Sequence, residues 1–165
     1  MILTAESIQK INHELGKYPD DHKESAVMAA LAIAQDQLGW LPPEVMQEIA
    51  THLAMPAMAV YEVASFYTMY NLEPVGQFKL TVCTNLPCAL RGATQAAEYL
   101  KEKLQIGWNE TTADGLFSLK EGECLGNCGE APSLTVNNKR LCNLMSHERI
   151  DSLLLELATY GKERK

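Results

Sequence analysis

Asn71-Leu72-Glu73-Pro74-Val75-Gly76-Gln77-Phe78-Lys79-Leu80-Thr81-Val82-Cys83 is where the hydrophobic period of this chain changes. Asn71 to Gly76 is a turn-rich joint holding a proline and a glycine. Beyond it Phe78, Leu80 and Val82 alternate with Lys79, Thr81 and Cys83, a period of two that reads as a β-strand. Ahead of it apolar residues recur every three or four positions, which reads as helix. The class is therefore α/β: a helical bundle over residues 1–74, then an α/β unit over residues 75–165.

Working back from the joint, Val60, Val63, Ala64 and Tyr67 form one helical stripe after Pro56. Met46, Ile49, Ala50 and Leu53 form another, opened by Pro43, whose fixed φ suits a first helical position. Pro42 pushes Leu41 out of the helical region and so breaks the chain there. Val27, Leu31, Ala34 and Leu38 make a stripe ended by Gly39, and Ile8, Ile11 and Leu15 one with Thr4 as N-cap. The large side chains of Trp40 and of the run Tyr61 to Tyr70 read mainly as core, as do the methionines. Part of this apolar surface is expected to dock on a partner, because so short a helical piece has little core of its own.

Working forward, Leu90, Ala93, Ala97, Leu100 and Leu104 mark a helix. Residues 109–115 read as a polar loop, and Phe117 and Leu119 as a strand. Leu134 and Val136, Asn137-Asn138 and Leu141 read as a tight hairpin. Ile150, Leu153, Leu154 and Leu157 mark a closing helix, with Ser146 its cap and Gly161 beyond its end. Helices packed on a small sheet are the expected architecture.

The 165 residues carry 14 basic and 21 acidic side chains, a net charge of −7. Residues 1–75 hold three lysines against ten acids, so that charge lies in the helical half. Nucleic-acid binders carry a basic surplus, and this chain does not, so no nucleic-acid partner is expected. No stretch has the form of a signal peptide or a bilayer-spanning segment, which predicts a cytoplasmic protein without direct membrane insertion.

Five cysteines in a reducing compartment point to metal or redox work rather than disulfides. Cys83 and Cys88 are separated by four residues, Cys124 and Cys128 by three, with 35 between the pairs. Each pair follows a predicted strand and sits in a loop with Pro or Gly. A 2Fe–2S cluster needs four thiolates converging on one small volume, and loops at one end of a sheet can supply them. Glycine N–H groups, here of Gly126 and Gly129, can approach the sulfurs and raise the potential. Four inert buried cysteines and a structural zinc site are the competing readings, though zinc pairs are usually spaced more tightly. Arg91, three residues after Cys88, is a candidate for offsetting cluster charge, or else an ordinary exposed arginine. Cys142 reads as a small buried hydrophobe, and no histidine is assigned to metal.

The stretch Asp114-Gly115-Leu116-Phe117-Ser118-Leu119-Lys120-Glu121-Gly122-Glu123-Cys124-Leu125-Gly126-Asn127-Cys128-Gly129-Glu130-Ala131-Pro132 meets every fixed position of Asp-x2-Phe-Ser-x5-Cys-Leu-Gly-x-Cys-x2-Ala-Pro. It resembles the signature of the 24 kDa subunit family of respiratory complex I, the NADH-quinone oxidoreductase of bacteria. Cys83-Thr84-Asn85-Leu86-Pro87-Cys88 and the run Tyr61 to Tyr70 are similar to that family too. The resemblance implies a thioredoxin-like ferredoxin domain over 75–165 and a docking bundle over 1–74. It implies one 2Fe–2S cluster on Cys83, Cys88, Cys124 and Cys128, with no catalytic residue in this chain. It further implies single-electron exchange with FMN on a flavoprotein subunit that also binds NADH. Both would belong to a peripheral arm, with other arm subunits, on the cytoplasmic side of the inner membrane. The same module serves NAD-linked hydrogenases and formate dehydrogenases. A free ferredoxin would need no docking bundle, and a zinc-stabilised helix-turn-helix would meet phosphate with an acidic face.

Overall fold

The computed structural model describes residues 1–163, so the last two residues of the predicted second unit lie outside it. The chain forms two compact units, Met1–Pro74 and the part from Val75 onward.

The first unit holds four helices: α1 (Ala5–Leu15), α2 (Val27–Leu38), α3 (Pro43–Leu53) and α4 (Ala57–Phe66). Thr4 caps α1 by accepting from the Ser7 backbone N–H at 3.2 Å. Gly39 ends α2 with φ 83°, and Pro43 opens α3 at its first turn. A single 3-10 turn, Lys23–Ala26, leads into α2 and carries no periodic signal of its own. Ile11, Leu31, Val45, Ile49, Leu53 and Val60 meet in one core. Burying such a side chain contributes about 1.5–3 kcal/mol. Tyr70 is buried, and its hydroxyl donates to the Met28 carbonyl at 2.8 Å. The expectation that the run from Tyr61 to Tyr70 is mainly core, with part of its apolar surface left to dock, is met only in part by burial. Phe66 is 78% exposed, and Tyr61, Tyr67 and Met58 also face solvent, because α4 turns Val60 and Ala64, flanked by Ala57 and Val63, toward the core.

The second unit is built on a five-stranded sheet in the order β2-β3-β1-β4-β5, from β1 (Phe78–Cys83), β2 (Glu110–Thr111), β3 (Phe117–Gly122), β4 (Leu134–Val136) and β5 (Arg140–Cys142). β1 runs parallel to β3 in the register Phe78↔Phe117 through Cys83↔Gly122. β1 pairs antiparallel with β4, and β4 with β5. Between β1 and β2 lie α5 (Leu86–Leu90) and α6 (Ala93–Leu104), and α7 (His147–Glu163) closes the chain. Leu80, Val82, Leu119 and Leu134 pack with Leu100 of α6 and Ile150 and Leu153 of α7. The layout is one of helices on a mixed sheet, as the α/β reading requires.

Four details depart from the sequence reading. β1 is buried at all six positions, because it is the central strand, and Lys79 is only 2% exposed. Leu90 does not join α6: it ends α5, is 78% exposed, and is cut off from α6 by Gly92 at φ 94°. Glu110–Thr111 leaves the expected loop to pair with β3. Gly161 lies inside α7, not past it. A Cβ there would stand 2.7 Å from Leu116 Cδ1 and 3.2 Å from Phe78 Cε2, so the glycine lets α7 approach the sheet. The hairpin turn spans three residues between the paired Val136 and Arg140, with Asn137 and Asn138 both at positive φ.

Candidate metal centre

Both cysteine pairs sit at one end of the sheet. Cys83 is the last residue of β1, and its backbone N–H donates to the Ser133 carbonyl at 3.1 Å. Its ladder partner Gly122 ends β3, two residues before Cys124. Cys88 follows on α5, and Cys128 begins a short 3-10 turn, Cys128–Glu130. The parallel β1–β3 pairing thus sets the two thiol-bearing loops side by side.

Cys83 and Cys88 are each 1% exposed and form a small cluster with Ala93 and Ala131, flanked by Leu125. Cys124 is exposed and Cys128 half-buried. Cys124 Sγ and Cys128 Sγ lie 3.9 Å apart. The Gly126 N–H donates to Cys124 Sγ at 3.4 Å, the glycine sitting at φ 72°. Burial, contact with Cys83 and the charges of Cys83 and Cys128 push the Cys88 thiol up to about 11. Cys128 is also raised, first by Cys124, then by burial and by Cys83. Each pair therefore feels the other. Thiols that hold their protons this tightly ionise together only where a cation compensates them.

Three cross-links brace the two loops. Thr84 Oγ1 donates to Glu121 Oε1 at 2.7 Å, and Asn85 Nδ2 to Glu123 Oε2 at 2.8 Å. Arg91 Nη1 donates to the Gly129 carbonyl at 2.9 Å. Behind the Cys124–Cys128 loop, Asn127 Nδ2 bonds Asn143 Oδ1 at 2.9 Å and Ser133 Oγ at 3.1 Å. Sequence reasoning named the cysteines, Gly126 and Arg91. It missed Thr84, Asn85, Glu121 and Glu123, whose partners lie 37 or 38 positions off in the chain, and Asn127 and Asn143, whose partners lie 6 to 16 positions off.

The donor set fits a 2Fe–2S group. Two sulfurs on one tetrahedral metal, each about 2.3 Å from it, stand about 3.8 Å apart, close to the spacing of Cys124 and Cys128. Among the described residues no three His, Cys, Asp or Glu side chains are gathered as a preformed metal site. Four thiols offered as two pairs from two loops are the donor set of a 2Fe–2S core, which a single zinc ion can also use. The Gly129 carbonyl accepts from Arg91 Nη1. Cys142 lies on β5 against the main core of this unit, and burial raises its thiol above the usual range.

The sequence profile of the thioredoxin-like [2Fe-2S] ferredoxin family matches residues 11–158. This chain belongs to that family. Within it, the E subunit of the NADH-quinone oxidoreductase of Rickettsia bellii (strain RML369-C) is 49% identical over 123 residues, 74% of each chain. The NADH-quinone oxidoreductase subunit 2 of Thermus thermophilus is 39% identical over 147 residues, 89% of this chain and 81% of that one. The crystal structure of an air-oxidised NAD+-reducing [NiFe]-hydrogenase superposes on 81% of this ferredoxin with a TM-score of 0.70 at 22% identity. The match spans only 23% of the hydrogenase chain, and the likeness is one of fold.

Proposed function

We propose that this chain is the electron-transfer subunit of an NADH:quinone oxidoreductase. It would hold one 2Fe–2S cluster on Cys83, Cys88, Cys124 and Cys128 and exchange single electrons with the FMN of an NADH-binding partner subunit. What supports this most is the meeting of the two thiol pairs at one sheet end, in a chain up to 49% identical to named subunits of that complex. The second unit is then the cluster domain. The first, acidic unit docks on the flavoprotein within a peripheral arm, on the cytoplasmic side of the inner membrane. No helix among the described residues is long and apolar enough to cross a membrane.

When bound, the cluster supplies storage for one electron, near about −400 mV in plant-type centres. The chain does the rest. The Gly126 N–H offsets charge on Cys124 Sγ. Ala93, Ala131 and Leu125 keep water from the buried pair. The cross-links from Thr84, Asn85 and Arg91 hold both loops ready for loading.

A diaphorase subunit of an NAD-linked hydrogenase or formate dehydrogenase is the second reading, favoured by the hydrogenase fold likeness. The relatives at 39–49% identity favour the first. Anaerobic purification with counts of iron, sulfide and zinc is the test. About two irons and two sulfides per chain, with colour bleached by dithionite, is the expected result. A colourless protein with one zinc overturns the proposal.

A further inference from the structure

Arg91 is fixed at both ends to the thiol loops. Its backbone N–H donates to the Cys88 carbonyl at 3.0 Å, which anchors it to the turn carrying that cysteine. Its guanidinium donates to the carbonyl of Gly129, the residue after Cys128. Charge held by a hydrogen bond at each end of the residue does not wander as that of an ordinary exposed arginine does. The same bond polarises the Gly129–Glu130 peptide, whose N–H donates to the Asn127 carbonyl at 3.2 Å inside the Cys124–Cys128 loop.

The surrounding charges are of the other sign. Glu121 and Glu123 precede Cys124, and Glu130 follows Gly129. Neutral groups satisfy these carboxylates: the Thr84 hydroxyl, the Asn85 amide and the Asn143 amide. Such donors hold the acids in place without cancelling their charge. Adding an electron to four thiolates beside three carboxylates is opposed by Coulomb repulsion, and a cation clamped to the same loop relieves it.

We infer that Arg91 is a positioning residue that ties the Cys128 loop to the Cys88 turn and, by its fixed charge, raises the reduction potential of the bound centre. The inference rests on the reading that these cysteines hold a 2Fe–2S cluster. Because the guanidinium is exposed, part of its influence is screened by salt.

The test is the midpoint potential of the iron-loaded subunit, followed by electron paramagnetic resonance, in wild type, R91Q and R91K. Glutamine keeps a donor for Gly129 but loses the charge; lysine keeps the charge but loses the planar fork. R91Q is expected at a lower potential than wild type, with a gap that narrows as salt is added. R91K is expected to recover most of the drop. A wild-type potential in R91Q, or an R91K as low as R91Q, overturns the inference. Iron loss in R91Q that R91K restores supports it, and equal loss in both overturns it. Zinc in place of iron in the wild type is a separate outcome, which overturns the cluster reading along with the role of Arg91.

Discussion

Asn85 Nδ2 donates to Glu123 Oε2 at 2.8 Å, joining the second residue after Cys83 to the residue before Cys124. With the Thr84–Glu121 bond beside it, it brings two loops together that are 38 positions apart in the chain. The thiol loops are thus braced by groups that need not be ligands.

Replacing Asn85 by Ala should loosen the brace without removing a ligand. A hydrogen bond of this kind contributes about 0.5–1.5 kcal/mol, and exposure favours the low end. Iron release to a chelator should be roughly two- to three-fold faster in N85A, with the visible spectrum unchanged. Release at the wild-type rate would mean the bond braces nothing.

The cysteines separate by role. Serine at any of Cys83, Cys88, Cys124 or Cys128 should lower iron content or alter the spectrum. C142S should keep about two irons per chain, since Cys142 lies on β5, packs against the main core of its unit and belongs to neither thiol pair. We expect one pair per iron, Cys83 with Cys88 and Cys124 with Cys128. Mössbauer spectra in which each single variant disturbs both irons equally would contradict that division.

Lys79 makes stability depend on alkaline pH. Burial, then the charge of Lys120, brings its ammonium from 10.5 down to about 8. Between about 8 and 10.5 the unfolded chain keeps a proton that the folded chain has lost. Stability therefore rises with pH across that window, by up to about 3 kcal/mol. The raised thiols of Cys88 and Cys142 act in the opposite direction. The difference between wild type and K79M, from urea unfolding at pH 7.5 and pH 10, therefore isolates Lys79 (both pH values are about half a unit inside or outside the window). A difference that does not change with pH would refute the assignment.

Gly76 lies against backbone. A Cβ there would stand 2.9 Å from the Phe117 carbonyl carbon and 3.1 Å from the Gly115 oxygen, and its N–H donates to Ser118 Oγ at 2.6 Å. G76A should cost about 1–3 kcal/mol in chemical unfolding, because no side chain can move aside. An unchanged midpoint would show that the start of β1 can shift.

Phe66 tests the docking expectation. F66S should leave the fold of the helical unit intact, since the ring is 78% exposed. Affinity for the flavoprotein should fall about tenfold or more if Phe66 is an anchor. Unchanged binding by calorimetry would move the interface elsewhere.

The helices were legible because capping and periodicity are local. Thr4, Gly39 and Pro43 act within one turn of themselves. Glu110–Thr111 was not legible, since two exposed polar residues become strand only when β3 offers an edge. Gly161 misled for a related reason: a glycine that ends a helix and one that admits a neighbouring sheet look alike in sequence. Phe66 and Leu90 carry apolar side chains, yet nothing near them in the chain tells whether a core will reach them. At the site the proposed ligands, Cys83, Cys88, Cys124 and Cys128, were picked out by their spacing. The braces from Thr84 and Asn85 were not, because they find partners 37 and 38 residues away.

The pairing of Cys83 with Gly122 has one more consequence. A slip of β1 against β3 by a single residue would turn the Cys83 side chain to the opposite face of the sheet. Such a chain could still bury much of its apolar surface, but it would have only three thiols to offer at the sheet end. The strand register and the proposed ligand set are therefore fixed together: the pairing that puts Cys83 opposite Gly122 is also the one that offers all four thiols at one sheet end.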